Sequence, residues 1–151
     1  MRRLLLLLDL LTLLLPIEPA EAQTAAEVAA NWGLLGVWRF RCNTPPSRND
    51  NEINYAVRDG RLYMDRDWGS GRDSGLVTEA AVLPDGALDL TIVFPSLSQT
   101  RQNVFRKIGT HLLYPRVSRN IANDEHSTRD GRNAATGQAA NPLVRFRATS
   151  S

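Results

Sequence analysis

The residues with the most chemical potential in this sequence are Asp65-Arg66-Asp67-Trp68-Gly69-Ser70-Gly71-Arg72-Asp73, where carboxylates alternate with guanidiniums and glycines. Carboxylates spaced in this way can converge on a hard cation such as calcium. The twelfth position counted from Asp65 is Leu76, however, where an EF-hand loop carries a bidentate glutamate, and Arg66 and Arg72 compete for the same acids. No metal site is assigned. The segment reads as a solvated glycine-rich loop between strands, with Trp68 either tucked over the mouth of the fold or presented to a partner.

Other catalytic constellations are missing from the sequence. It has no Gly-x-Ser-x-Gly, no phosphate loop, no His-Glu-x-x-His and no pair of cysteines. A nucleophilic Cys42 would need a histidine beside it, and only His111 and His126 are present. Glu125-His126 follows Asp124 in a polar stretch that offers nothing to orient an imidazole. No catalytic residue and no cofactor are assigned, so the expected function is non-enzymatic.

The chain has 151 residues, 42% of them hydrophobic, which suits one globular domain. Part of that apolar content is concentrated at the start. Met1-Arg2-Arg3, the apolar run Leu4 to Leu15, Pro16 and then Ala20-Glu21-Ala22 have the three-part layout of a cleaved secretory signal over 1–22. The run is too short to span a bilayer, which needs roughly 20 apolar residues, and no transmembrane segment is expected after cleavage. Export, periplasmic or secreted, is the expected destination. The remainder is mildly basic, with Lys107 its only lysine, and nothing in it implies a nucleic-acid partner.

Thr24 and Glu27 form a capping box for a short helix within 23–33. Beyond it the period of the sequence is two. Trp38, Phe40 and Cys42 alternate with Arg39 and Arg41, which places the single cysteine on the inner face of a first strand. Asp59-Gly60 is a two-residue hairpin turn, predicting strands over 52–58 and 61–67 with Tyr55 opposite Met64 and Val57 opposite Leu62. Leu83-Pro84-Asp85-Gly86-Ala87 predicts a second hairpin through a three-residue loop. Its register pairs Val82 with Leu88, Ala80 with Leu90, Thr78 with Ile92 and Leu76 with Phe94. Gly109 marks a third hairpin, in which Phe105 faces His111 or Tyr114 according to loop type. The stretch 122–142 is polar and small, a long surface loop with a turn at Asp130-Gly131. A last strand runs from about 143 to 147.

These elements predict an all-β domain over 34–151, an antiparallel up-and-down barrel of about eight strands, closed by pairing the first strand with the last. In that arrangement Trp38, Phe40, Val144 and Phe146 lie inside, while Arg39, Arg41, Arg145 and Arg147 share the outer face. The short helix followed by Gly36-Val37-Trp38, with an arginine late in the final strand, resembles the lipocalin or calycin superfamily. The resemblance implies that Trp38 closes one end of the barrel and that Arg145 or Arg147 packs across it. Small lipocalin-like protease inhibitors of the bacterial periplasm are closest in length. The second family motif and the C-terminal helix are missing.

Alternation gives an apolar interior, so the leading expectation is a small apolar or acylated ligand held among Trp38, Tyr55, Met64, Leu90 and Phe94, with Trp68 near the mouth. The alternative is a filled barrel that acts as an interaction module, such as a periplasmic protease inhibitor or an envelope-associated protein. Its partner would bind the 69–75 loop, the 123–141 loop or the surface of Arg39, Arg41, Arg145 and Arg147.

Overall fold

The computed structural model describes residues 22–147; the leader expected over 1–22 lies outside them except for Ala22. Helix α1 (Ala25–Trp32) begins as its sequence requires. The Thr24 hydroxyl accepts from the Glu27 amide, and the Glu27 carboxylate accepts from the Thr24 amide at 2.8 Å. Gly33 ends the helix in the left-handed region at φ 84°, and Ala26, Ala29 and Trp32 form the buried stripe.

The strands are β1 (Gly36–Arg39), β2 (Glu52–Arg58), β3 (Arg61–Asp67), β4 (Arg72–Val82), β5 (Leu88–Phe94), β6 (Gln99–Ile108), β7 (Leu112–Asn120), β8 (His126–Arg129), β9 (Arg132–Asn133) and β10 (Leu143–Arg147). Strands β1 to β7 pair in sequence, and β10 pairs with both β1 and β7. The result is a closed antiparallel barrel of eight strands. This architecture is compatible with a lipocalin-like barrel.

The Asp59-Gly60 hairpin has the expected register, Tyr55 opposite Met64 and Val57 opposite Leu62. Val57 nevertheless lies 42% exposed, while Leu62 across from it is buried. In the next hairpin Val82 pairs with Leu88 and Ala80 with Leu90, but a bulge between Val77 and Glu79 resets the rest. Ile92 therefore faces Val77 rather than Thr78, and Leu76 faces Val93 rather than Phe94. The bulge turns the apolar Val77 into the core and leaves Thr78 exposed, its hydroxyl donating to the Thr91 carbonyl.

In the third hairpin Phe105 lies opposite Pro115, neither of the expected partners, across a bulge between Val104 and Phe105. Proline has no N–H to give to the ladder, so regular pairing is interrupted at that residue. The stretch 122–142 is not structureless. It contains the β8–β9 hairpin, turning on Asp130-Gly131, which pairs with the far half of β7.

Strand β1 stops at Arg39, earlier than alternation predicts. Asn43-Thr44-Pro45-Pro46 does not continue a strand, and the Asp50 carboxylate holds the departing chain by accepting from the Arg41 amide at 3.0 Å and the Thr44 hydroxyl at 2.8 Å. Phe40 is consequently half-buried, and Cys42 is exposed on a loop, not turned inward. At the other side of the seam Phe146 is exposed as well, contrary to the inward position expected of it.

The core runs through the barrel from Ile53, Tyr55, Leu62 and Met64 to Leu88, Leu90, Ile92, Phe94, Phe105, Leu113 and Leu143. Gly75 has a specific place in it. A methyl group there would come within 2.6 Å of Ile92 Cγ2 and 2.7 Å of Phe94 Cε1, so both side chains lie directly on the β4 backbone.

Candidate functional site

Trp38, Tyr55, Met64, Leu90 and Phe94 do converge on the barrel interior, and none is more than 5% exposed. They pack against one another and their neighbours. Tyr55 meets Phe105 edge-on with ring centroids 6.4 Å apart. Two polar atoms within this layer lack partners, the Tyr55 hydroxyl and Asn103 Oδ1, while Asn103 Nδ2 sits 3.9 Å from the Met64 sulfur. Burial pushes the Tyr55 phenol far above its ordinary pKa, against the pull of the Arg66 charge.

The end of the barrel that carries α1 is closed. Trp38 Nε1 donates to the Leu34 carbonyl at 2.7 Å, and the Arg145 guanidinium lies 4.2 Å over the Trp38 ring. Arg145 also donates to the carbonyls of Gly33 (2.6 Å), Leu35 (2.7 Å) and Thr110 (2.9 Å). Burial lowers its pKa, a cost that three carbonyl acceptors and an aromatic face offset. Of the two arginines that the resemblance offered, Arg145 is the one placed across the tryptophan.

The shared arginine surface does not exist as expected. Arg39 is buried under the β1–β2 loop, where it donates to the Thr44 carbonyl at 2.6 Å and pairs with Asp50 at 3.4 Å. Arg145 belongs to the closed end. Only Arg41 and Arg147 are exposed, and Arg147 reaches Glu52 at 3.3 Å. The cause is geometric: β1 is short, the register shifts between Val37 and Trp38, and the following loop folds back over the strand.

The open end is polar. Arg66 follows Leu62 and Met64 on the inner face of β3 and pairs through two nitrogens with Asp73 of β4, while its guanidinium covers the Phe94 ring at 4.2 Å. Arg101, on the inner face of β6 opposite Ile92, has only neutral acceptors, namely Gln99, Ser118 and Ser127 at 3.1–3.2 Å. Burial and then the neighbouring Arg66 charge depress its pKa, with Glu125 acting in the opposite sense. Trp68 is half-buried and laid against Gly71, where a methyl group would come within 2.8 Å of its indole nitrogen; Arg48 stands 6.0 Å above the ring. The carboxylates whose spacing suggests a cation site are each held by arginine: Asp65 by Arg58, Asp67 by Arg72 and Asp73 by Arg66.

Beside this end lies a cleft of about 630 Å³. Above Arg39 and Leu143 no described strand joins β1 to β7, so the β1–β2 loop and the β8–β9 hairpin face each other across a gap in the wall. Phe40, Arg41 and Arg48 line one side; Ser127, Asn133 and Gln138 line the other. A second depression, of about 770 Å³, lies on the outside of β6 and β7, where Arg116 is already paired with Asp85.

No known protein family, curated protein or solved structure matches this chain. The site must therefore be read from its own chemistry. Of the residues expected to carry function, Arg41 lines the cleft and Trp68 lies near Arg48 at its margin, while the interior set is packed away. Arg48, Arg101, Asn103 and Gln138 were missed. Strand alternation could have found Arg101 and Asn103 with the correct register; Arg48 and Gln138 come from segments with no periodic signal.

Proposed function

We propose that this chain is an exported, non-enzymatic, lipocalin-like barrel whose filled interior is a scaffold and whose open end recognises a partner macromolecule. The observation that carries this reading is the burial of the interior side chains, with Tyr55, Leu62, Leu90, Ile92 and Phe94 each no more than 1% exposed and Ile92 and Phe94 leaving no space for a methyl group at Gly75 on the neighbouring strand. The clefts at and beside the open end supply recognition chemistry that the interior does not. An envelope-associated role suits this arrangement better than the carriage of an apolar ligand.

A second reading keeps a small ligand inside the barrel. It draws on the Tyr55 hydroxyl and Asn103 Oδ1, both buried and without partners. Binding there would require Phe94 or Ile92 to move.

Two measurements on the exported protein separate these readings. Co-sedimentation with the cell envelope should be lost in the Arg41→Glu/Arg48→Glu variant, and titration with palmitate should give no saturable change in tryptophan emission. Saturation near one equivalent of palmitate, undiminished in the double variant, would overturn the first reading in favour of the second.

A further inference from the structure

We infer that the cleft between the β1–β2 loop and the β8–β9 hairpin binds an acidic oligosaccharide, with Arg41 and Arg48 receiving uronate carboxylates. The inference rests on the reading of the open end as a recognition surface and names the chemistry recognised there.

Charge is the first argument. No aspartate or glutamate lines the cleft, and neither guanidinium has a carboxylate within ion-pairing distance among the described residues. Arg58, Arg66, Arg72, Arg116 and Arg119 have acidic partners, whereas Arg61, Arg101, Arg106 and Arg132 do not; Arg41 and Arg48 differ from those in lining one cleft together. Two unpaired guanidiniums on one wall leave planar N–H donor arrays to be filled by an anion; that fork matches carboxylate and phosphate alike, and a uronate supplies its carboxylate on a hydroxyl-bearing ring that the neighbouring carboxamides can also engage.

The second argument is the kind of contact on offer. An extended peptide gains affinity by adding a strand to a free sheet edge. Here the outer edge of β9 is taken by its own chain: Arg132 bridges to Ala139, the Asn133 amide donates to the Gln138 carbonyl and the Ala140 amide donates to the Gly131 carbonyl, both at 2.8 Å. Recognition must then come from side chains. The carboxamides of Asn49, Gln138 and Asn141 make no hydrogen bond among the described residues, and each carries a donor and an acceptor that match the hydroxyls of a sugar ring. Half-buried Phe40 supplies an apolar surface for the C–H face of a pyranose. The volume falls within the range of about 300–1,000 Å³ typical of small-ligand sites.

Titration calorimetry with tetragalacturonate tests the inference, with maltotetraose as the neutral control and a tetraglutamate peptide as the acidic one. Tetragalacturonate should bind saturably, at least about tenfold more tightly than maltotetraose, and the Arg41→Gln/Arg48→Gln variant should lose at least about tenfold. Arg61→Gln/Arg106→Gln removes the same charge from exposed positions outside the cleft and should leave binding unchanged. Failure to bind tetragalacturonate, equal affinity for maltotetraose, or an unaffected cleft variant would overturn the assignment. Preference for tetraglutamate, lost in the cleft variant, would overturn the saccharide while leaving recognition at the open end intact.

Discussion

Replacing Gly75 with alanine separates a filled barrel from a hollow one by the sign of the stability change. Gly75 lies in β4 opposite Met64, and its φ is not in the left-handed region, so alanine meets no backbone obstacle. Restricting the unfolded chain should by itself stabilise the variant by about 0.4–1 kcal/mol. Against this, the new methyl group falls 2.6 Å from Ile92 Cγ2 and 2.7 Å from Phe94 Cε1, on side chains that are 0% and 1% exposed. Overpacking of a close-packed core costs about 1–3 kcal/mol. The net expectation is a loss of about 1.3 kcal/mol within a range of about 0–2.6, read as a lower urea midpoint with unchanged slope and a Tm reduced by several degrees. Adding Phe94→Leu to Gly75→Ala should cost less than Phe94→Leu alone, because the larger ring is then the source of the strain. Were the interior hollow, Ile92 and Phe94 would step back into the void and only the entropic gain would remain. A Gly75→Ala variant more stable than the parent would refute the filled barrel.

Three further outcomes follow from the same geometry. Arg145→Gln should cost about 2–4 kcal/mol by leaving carbonyls at the closed end unpaired and removing the cover from Trp38, and lysine should not rescue it because an ammonium cannot match the guanidinium fork; chemical denaturation reads both. Tyr55→Phe removes a buried hydroxyl with no partner and should be neutral or stabilising by up to about 1 kcal/mol; a comparable loss would reveal a bound water or ligand at that oxygen. Burial pushes the Asp65 carboxyl up, but bonds from Arg58 and Ser74 outweigh it and hold the group below its ordinary 3.8. Its stabilisation is therefore complete above the unfolded value and is lost as pH falls through the lower folded one, so Asp65→Asn should flatten the acid limb of the stability profile below about pH 4.

The hairpins were legible because their turns need particular backbones. Asp59 and Gly60 both take positive φ, as a two-residue loop demands, and the pairing of Tyr55 with Met64 follows at once. Bulges were not legible. Alternation counts residues, and one extra residue near Thr78 or Phe105 changes which face the next one occupies without altering composition. Cys42 and Arg39 illustrate the same limit at a strand end. A period of two cannot say where a strand stops, and it was the anchoring of the loop by Asp50 that exposed the thiol and buried the guanidinium. The cleft was partly foreseen through Arg41 and the polar stretch after residue 121. Its other residues come from short polar strands and turns whose positions depend on the gap between β1 and β7, a property of the closed barrel that no local pattern encodes.

The pairing of β1 with β10 has a mechanical consequence. Val37 is the register partner of Arg147, and α1 caps that same end, so the chain enters and leaves the barrel side by side, away from the cleft. A linker, tag or surface attachment placed at either point would pull on the sealed base and leave the loops that line the cleft facing outward. Because the first and last strands are antiparallel neighbours whose outer ends lie side by side, tension applied between those ends would unzip that one seam from Val37 and Arg147 inward, making it the clasp on which the mechanical integrity of the barrel depends.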